Sequence, residues 1–255
     1  MSLPRLSRAG LVILAALALA AGTAAGDGAL VEVNGIVLRA SGGFKPQTLP
    51  RRSYAPITFQ GRVDLHGRNG GALPPLQEAL IDFDRDGRLD VSGLPTCTPE
   101  SVAAASTAAA RRICRGAIVG SGHLGVVVAL PSGPIRTTAP LTIFNGPRLE
   151  GNPTAILHAQ FTVPATQTYA IVVPIERIPG RFRYRARIEL PPLAGGFGAL
   201  THIDAKVGRR YRAGGRNHSY VSARCSDNIL QTHGYFSFAE GTVISGQVEE
   251  YCRSK

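Results

Sequence analysis

The chain has 255 residues, which is enough for one sizeable hydrophobic core. Its formal net charge of +11 favours anionic partners such as nucleic acid, phosphate-rich polymers or membrane surfaces. Only three of its 28 basic residues are lysine, and this arginine excess, with abundant Ala, Gly and Pro, is typical of GC-rich coding sequence. The charge alone therefore identifies no partner. No segment after the N-terminal apolar run is suited to span a bilayer, which excludes a transmembrane segment in the mature chain.

The first 25 residues predict a secretory signal peptide. Arg5 and Arg8 precede the apolar run Leu11–Ala21, and Thr23-Ala24-Ala25 supplies small residues for cleavage near Ala25. The run is shorter than the roughly 20 residues that a membrane span needs, but an uncleaved N-terminal anchor stays open. No cysteine directly follows the run, which argues against a lipoprotein anchor. We therefore expect a secreted, extracellular protein.

Four cysteines in an exported chain predict two disulfides, because the compartment is oxidising and the number is even. Three connectivities are available. Order along the chain favours the pairs Cys97–Cys114 and Cys225–Cys252.

The N-terminal part of the mature chain predicts one strand and a loop. Leu30–Arg39 alternates weakly between apolar and polar residues, and Ser41–Arg52 is rich in Gly, Pro and basic residues. We assign this strand and loop to residues 26–53, ahead of a β domain over residues 54–255. Ile57–Leu65 alternates strictly and predicts a half-buried strand.

The segment from Ala79 to Asp90 combines a strand pattern with several carboxylates. Asp86-Gly87 indicates a hairpin turn, because glycine accepts a positive φ without strain. The spacing of the acidic residues also matches the first half of a calcium loop, which would make calcium the one candidate cofactor. The twelfth position, where the bidentate Glu belongs, is Gly93, so a hairpin with a polar outer edge explains the pattern as well. The candidate metal ligands are Asp82, Asp84, Asp86 and Asp90.

Only Pro99–Ile113 has helical character, with Thr98 as a candidate cap and Pro99 in the first turn. A continuous helix would separate its ends by roughly 22 Å, whereas a disulfide between Cys97 and Cys114 needs Cα atoms within about 7 Å. The segment must therefore double back, most simply at Ser106-Thr107. We predict a small helical hairpin held at its base by the disulfide.

From Ala117 onward the sequence predicts short strands separated by Pro and Gly turns. The strongest pattern is Gly180–Leu190, where arginines alternate with Phe182, Tyr184, Ala186 and Ile188, so that one face enters a core. His218–Cys225 continues the series, and a last hairpin turns at 239–241. The chain thus predicts an all-β fold, a single antiparallel β-sandwich or barrel-like domain of about 10–12 strands with a helical-hairpin insertion near 98–114.

Several short motifs resemble a group of secreted actinobacterial-type proteins to which no activity is assigned. The resemblance covers roughly residues 54–252. It implies the same β-rich fold and two disulfides, and it implies no catalytic residue, since turn glycines, prolines and cysteines carry it. The motifs are G-L-P-T-C (93–97), I-C-R-G-A-I-V-G (113–120), I-F-N-G (143–146), L-P-P-L-A-G-G-F-G (190–198), S-Y-V-S-A-R-C (219–225) and F-A-E-G-T (238–242).

The arginine row is the main candidate binding site. Same-face residues on a strand lie about 6.6–6.8 Å apart, so four arginines form a stripe about 20 Å long that suits an anionic envelope polymer. The competing interpretation is a solvated outer face that is partly paired with Glu or Asp. Tyr184 points to the opposite face, so no stacking platform for nucleic acid is indicated. The row consists of Arg181, Arg183, Arg185 and Arg187.

No catalytic motif appears. The six histidines are scattered without H-E-x-x-H, and the sequence has neither a nucleophile elbow nor a phosphate-binding G-x-x-x-x-G-K-[ST] loop. We therefore expect a non-enzymatic, extracellular binding or structural module of the cell envelope, with anionic polymer as its candidate partner. Two alternatives stay open: an envelope hydrolase with a composite site, and a carrier whose interior holds an apolar ligand.

Overall fold

The computed structural model describes residues 28–255, so the predicted signal peptide at 1–25 lies outside the described residues. Within the described range the chain is mostly β, and most of its strands belong to one large antiparallel sheet. The all-β prediction is confirmed, and of its two forms the barrel-like one is observed.

Nineteen strands and two short helices make up the described chain, together with short 3-10 turns. The strands in chain order are β1 (Ala29–Val33), β2 (Ile36–Lys45), β3 (Thr48–Leu49), β4 (Ala55–Pro56), β5 (Thr58–Gly67), β6 (Leu76–Asp84), β7 (Gly87–Leu89), β8 (Ile118–Val128), β9 (Ile135–Leu149), β10 (Asn152–Phe161), β11 (Gln167–Arg177), β12 (Phe182–Glu189), β13 (Gly198–Val207), β14 (Arg210–Ala213), β15 (Arg216–Ser219), β16 (Val221–Ala223), β17 (Ile229–Phe238), β18 (Val243–Tyr251) and β19 (Arg253–Ser254). The helices are α1 (Pro99–Val102) and α2 (Thr107–Ile113), and the 3-10 turns are Arg68–Gly70, Arg115–Ala117 and Leu193–Gly196.

The main sheet has twelve strands in the order β1-β2-β5-β13-β8-β9-β10-β11-β12-β6-β17-β18. It curls until its two edge strands lie side by side. A Cβ built on Gly246 of β18 would stand 3.3 Å from the Cβ of Ala29 in β1. The edge strands are not hydrogen-bonded to each other in the described sheet, so the barrel is nearly closed rather than sealed.

The barrel has two unlike ends. At the end that we call the turn end, successive strands are joined by short connections such as Asn34-Gly35, 129–134 and 239–242. At the opposite end, the cap end, the long connections 46–57, 85–117 and 208–228 leave the barrel and return. The barrel strands turn an apolar face inward, because alternate side chains of a strand point to opposite sides of the sheet. β9 and β10 also bury Phe144 and Ile156 on their outer face, against the helical hairpin.

The long connections build a cap over one mouth of the barrel. β16 lies between β4 and β7 in a three-stranded sheet, β14 pairs with β15, and β19 pairs with β3. Cys225–Cys252 ties the cap to the end of β18, with Cα atoms 6.0 Å apart. Phe44 and Leu49 are buried around this disulfide.

The predicted helical hairpin is confirmed. α1 and α2 are separated at Ser106, whose hydroxyl accepts the backbone N–H of Ala109, and Cys97–Cys114 joins the ends with Cα atoms 5.4 Å apart. Thr98 occupies the N-cap position of α1, but its side chain makes no capping hydrogen bond. Neither this pair nor any other helix within residues 28–255 is long and apolar enough to cross a membrane.

Several local predictions are wrong. The predicted single strand Leu30–Arg39 is a hairpin, since Asn34 and Gly35 both have positive φ, and β2 then runs to Lys45 into the predicted loop. Both strands belong to the barrel, so the segment 26–53 is not separate from the β domain. The chain turns before Gly87, but β7 pairs with β16 rather than with β6.

Another wrong prediction concerns the strand His218–Cys225. It is interrupted at Tyr220 and becomes parts of β15 and β16, which belong to two different small sheets of the cap. The disulfide Cys225–Cys252 forms as predicted, but it joins the cap to the barrel rather than two strands of one meander.

Candidate functional site

The barrel interior contains a cavity of about 380 Å³. That volume lies within the roughly 300–1,000 Å³ typical of small-molecule sites. Its walls come from strands all around the barrel and are almost entirely aliphatic or aromatic. Representative lining residues are Val63, Leu124, Leu141, Leu157, Ile171 and Ile188.

The cavity follows from strand number and side-chain size. Barrel diameter grows with the number of strands, and about eight strands already give an interior that side chains just fill. Twelve strands enclose more space, and several inward positions carry only alanine or glycine. Ala155, Ala186, Ala205, Gly61 and Gly234 are among these small lining residues.

Most of the polar lining residues lie in the cap-end half of the cavity, and Ser41 and Arg62 lie near the middle of the barrel. Asp84 ends β6, Arg88 lies in β7, Gln231 lies near the start of β17 and Glu250 lies near the end of β18. The turn-end half is lined by apolar residues and by Tyr169. The Tyr169 hydroxyl donates to Gln167 (2.6 Å) and accepts the backbone N–H of Ala194 (3.0 Å). The cavity is therefore polarised along the barrel axis.

Packed side chains close the turn end. The rings of Phe161 and Tyr169 meet edge to face with centroids 6.2 Å apart. Together with Leu193 they separate the main cavity from a second space of about 200 Å³ near Val163. Phe236 and Phe238 are buried in the same cluster.

The predicted arginine row lies on the outer wall, and protein groups already engage most of it. Arg185 makes a bidentate ion pair with Asp82, which is only 2 % exposed, and Arg187 pairs with Glu78. This contact with Asp82 raises the pKa of Arg185. Arg181 lies 3.9 Å from Glu249. Ion pairs thus join most of the row to neighbouring strands, and it is not an open cationic stripe.

The inward face of the same strand is largely as predicted. Tyr184, Ala186 and Ile188 line the cavity. A register irregularity between Phe182 and Tyr184 removes Phe182 from this series, and its ring lies 6.1 Å from that of His233. The prediction that Phe182 faces the core is therefore wrong.

Arg183, the remaining member of the row, belongs to a cationic cluster around Tyr54. Its guanidinium donates to the Tyr54 hydroxyl (2.6 Å) and, at 3.4 Å, to the carbonyl oxygen of Gly87. Three guanidinium carbons lie 5.5–5.7 Å from the centroid of the Tyr54 ring, those of Arg88, Arg183 and Arg224. We call these four residues the Tyr54 cluster. An aromatic face attracts cations at such distances.

The four carboxylates of the predicted calcium loop do not converge. Asp82 pairs with Arg185, and Asp86 accepts from Arg224 and from the backbone N–H of Ser226. Asp84 accepts the backbone N–H groups of Asp86 and Gln231. Asp90 accepts the backbone N–H of Ser92 and contacts His218. Within residues 28–255 no group of three or more His, Cys, Asp or Glu side chains is arranged to hold a metal ion.

These contacts shift the carboxyl pKa values in different directions. Burial pushes the pKa of Asp86 upward, but the hydrogen bonds from Ser226 and Arg224 outweigh it, and the pKa falls below its usual value. At Asp84 burial prevails over the backbone hydrogen bonds, and the pKa is raised. Asp86 thus stays ionised as an anchor of the cap.

Two histidine clusters resemble parts of catalytic sites. His202 lies 2.8 Å from Asp64 and 3.0 Å from Asp204 on the outer wall, and His218 lies 2.9 Å from Asp90 beneath the ring of Tyr211. Burial raises the pKa of Tyr211 to about 12. Among the described hydrogen bonds, none joins a serine, threonine or cysteine side chain to either histidine, so neither forms a nucleophile–base pair.

His158 has a structural position. It is fully buried, and its Nε2 lies 3.1 Å from the carbonyl oxygens of Val102 and Ala105. Burial lowers the pKa of His158, so the neutral imidazole donates to the helical hairpin and holds it against β10.

Sequence reasoning kept a carrier with an apolar interior only as an alternative, named none of the cavity as a site, and missed most of the Tyr54 cluster. The members of the cluster come from four separate segments, and no spacing signal links them. The sequence contains only a weak signal of the cavity, since several inward positions of otherwise clear strand patterns hold alanine or glycine. Such residues are usually assigned to close packing rather than to open space.

No family model matches the sequence, and neither a curated protein nor a solved structure is significantly similar to it. The resemblance to secreted actinobacterial-type proteins stays a prediction.

Proposed function

We propose that this protein binds a small, largely apolar molecule inside its barrel. The observation that carries the proposal is the cavity of about 380 Å³, lined by aliphatic and aromatic side chains from strands all around the barrel. Empty apolar space forfeits dispersion contacts with the atoms around it, so a ligand of matching size gains both burial and packing.

The outer arginine row supports a binding role less well. Bidentate pairing with Asp82 and the contact with Glu78 leave Arg185 and Arg187 little capacity to bind an external polymer. An anionic envelope polymer and secretion both stay predictions. The interior offers a defined volume, whereas the outer face offers charges that neighbouring strands already neutralise.

A neutral fluorescent probe tests the proposal. N-phenylnaphthylamine brightens when it leaves water, and we expect saturable binding to the folded protein with a stoichiometry of one. Ala205→Phe places a large ring in the cavity and should abolish this binding. The matched control is Lys206→Phe, because Lys206 is the next residue of β13 and is exposed on the outside.

Thermal unfolding of both variants shows whether each still folds. If the folded wild-type protein gives no saturable signal, or if the Ala205→Phe and Lys206→Phe variants bind the probe equally, the cavity is not the binding site.

A further inference from the structure

The Tyr54 cluster carries more positive charge than the carboxylate paired with it neutralises. Arg224 is paired with Asp86, with nitrogen and oxygen 2.7 Å apart. Arg183 contacts only the neutral acceptors Tyr54 and Gly87, and Arg88 contacts only the Tyr54 ring. Within residues 28–255 no carboxylate oxygen lies within ion-pairing distance of Arg88 or Arg183. Two of the three guanidinium groups are therefore available to an anion.

The adjoining loop adds to this charge. Arg51 and Arg52 are exposed and precede Tyr54 by a few residues, and the carbonyl oxygen of Pro50 holds the loop to the cap through the N–H of Cys225. Guanidinium groups bind phosphate and carboxylate oxygens in pairs, and a cluster of them on an aromatic ring is a suitable anion-binding surface.

The cluster is connected to the cavity through Arg88. This residue lies over the Tyr54 ring and also lines the cavity, as do its neighbours Gly87 and Leu89 and, across the cap sheet, Ser222. The connection lies at the cap end, where the polar lining residues are found. A molecule with its apolar part in the barrel would thus present its polar end toward Arg88.

The acidic groups at this end are engaged in different ways. Asp86 is fully buried and held by Arg224 and Ser226, and both oxygens of Asp84 accept backbone N–H groups. Glu250 lines the cavity on the side of Gly43, near the seam between β2 and β18. The Tyr54 cluster favours an anion, whereas Glu250 adds a carboxylate to the lining, so probes of both charges test the sign of the head group.

We infer that the ligand is an anionic amphiphile, whose phosphate or carboxylate head group binds Arg88 and Arg183 while its hydrocarbon part occupies the cavity. This inference rests on the proposed function, since it assigns the head-group end of the same site.

Three twelve-carbon probes with different head groups test the inference: dodecyl phosphate, dodecanol and dodecyltrimethylammonium. Each competes with N-phenylnaphthylamine at concentrations below micelle formation. At low salt we expect dodecyl phosphate to bind at least about tenfold more tightly than dodecanol, and the cationic probe to bind no more tightly than dodecanol. Added salt should shrink the advantage of the phosphate.

Variants of the cluster locate the effect. Arg88→Gln should remove most of the advantage of dodecyl phosphate over dodecanol, and Arg88→Gln with Arg183→Gln should remove all of it, so that the two probes bind equally tightly. Arg88 is exposed and its side chain makes no hydrogen bond within the described chain, so the single variant should fold even if the double variant does not. Arg136→Gln is the charge-matched control, because Arg136 is exposed at the turn end.

The failures are distinguishable. If dodecanol displaces the dye but the phosphate gains nothing, or if the cationic probe binds most tightly, the head-group assignment is overturned while the cavity proposal stands. Calorimetry in which inorganic phosphate binds as tightly as dodecyl phosphate also overturns it, because the cluster would then be a site for free anions. If no probe displaces the dye, both proposals fail.

Discussion

The two ends of the barrel are stabilised by different interactions. The turn end is closed by short connections and by buried apolar side chains such as Phe161, Phe236 and Phe238. The cap end is built from three long connections that a disulfide, the ion pair Asp86–Arg224 and short strand pairings hold together.

The difference indicates where function can reside. Packed apolar side chains close the turn end of the barrel, and these contacts need no partner outside the protein. The cap end brings together charged groups from distant segments, and a ligand can exchange contacts with such groups. Polar lining residues and unpaired guanidinium groups occur at the same end, so the proposed ligand would enter from the cap side.

The largest expected effect is on the free energy of unfolding, and it compares a densely packed side chain with one that borders the cavity. Phe238→Ala at the turn end should lower the free energy of unfolding by about 3–5 kcal/mol, because Phe238 is almost fully buried. Leu157→Ala should cost only about 2 kcal/mol, since Leu157 already borders the cavity and loses fewer contacts. Urea denaturation measures both. Equal costs would mean that the space around Leu157 is filled in solution.

The next largest effect comes from removing the disulfide that joins the cap to the barrel. Replacing Cys225 and Cys252 together with Ser should cost about 3.5 kcal/mol, because the disulfide closes a loop of 27 residues. The disulfide Cys97–Cys114 closes a shorter loop, so its replacement by two serines should cost about 3 kcal/mol.

Hydrogen exchange gives the sharper comparison between the two disulfides. Loss of Cys225–Cys252 should speed exchange across β4, β7 and β16, whereas loss of Cys97–Cys114 should affect α1 and α2. Protection that falls uniformly over the whole barrel in the first variant would contradict an independently loosening cap.

The smallest effect is a pH dependence at the cap end. The pKa of Asp86 is lower in the folded protein than its unfolded value near 3.9, because hydrogen bonds from Ser226 and Arg224 outweigh burial. Its stabilisation is therefore complete above about pH 4 and is lost as the pH falls through the lower folded value. Asp84, whose pKa burial raises, acts in the opposite sense and reduces the net effect.

Amide exchange at pH 5 and pH 3, corrected for the intrinsic rates, measures this dependence. The N–H groups of Arg224 and Ser226 should lose protection at pH 3, whereas that of Phe238, which donates to the carbonyl oxygen of Thr242, should not. Asp86→Asn removes the titrating group and should leave the cap equally loose at both pH values. A pH effect that persists in this variant would assign it to another carboxylate.

Local signals predicted the individual elements well where they were consistent. Alternation identified β5 and β12, and the distance limit of the Cys97–Cys114 disulfide identified the break between α1 and α2. The hairpin at Asn34-Gly35 also has a sequence signal, because this dipeptide suits a turn with two positive φ values. The weak alternation of 30–39 concealed it.

The candidate site could be predicted only in fragments. Arg183 was singled out as one of four equivalent arginines, but two neighbours pair with carboxylates of β6 while Arg183 meets Tyr54. Which partner an arginine meets depends on strand order, and β12 pairs with β6, about a hundred residues earlier in the chain. The acidic run 82–90 fails as a metal loop for the same reason, since β6 and β7 separate its carboxylates between barrel and cap.

The sequence by itself determined that the chain forms strands and which faces of most of those strands are apolar, and it favoured the observed cysteine pairs. The strand properties are local, because side-chain alternation and turn residues express them within a few residues. Only the tertiary structure decided that twelve strands close around open space and that Arg88, Arg183 and Arg224 meet on one ring. Strand number and order set the width of a barrel and the neighbours of each side chain, and both arise from pairings between distant segments.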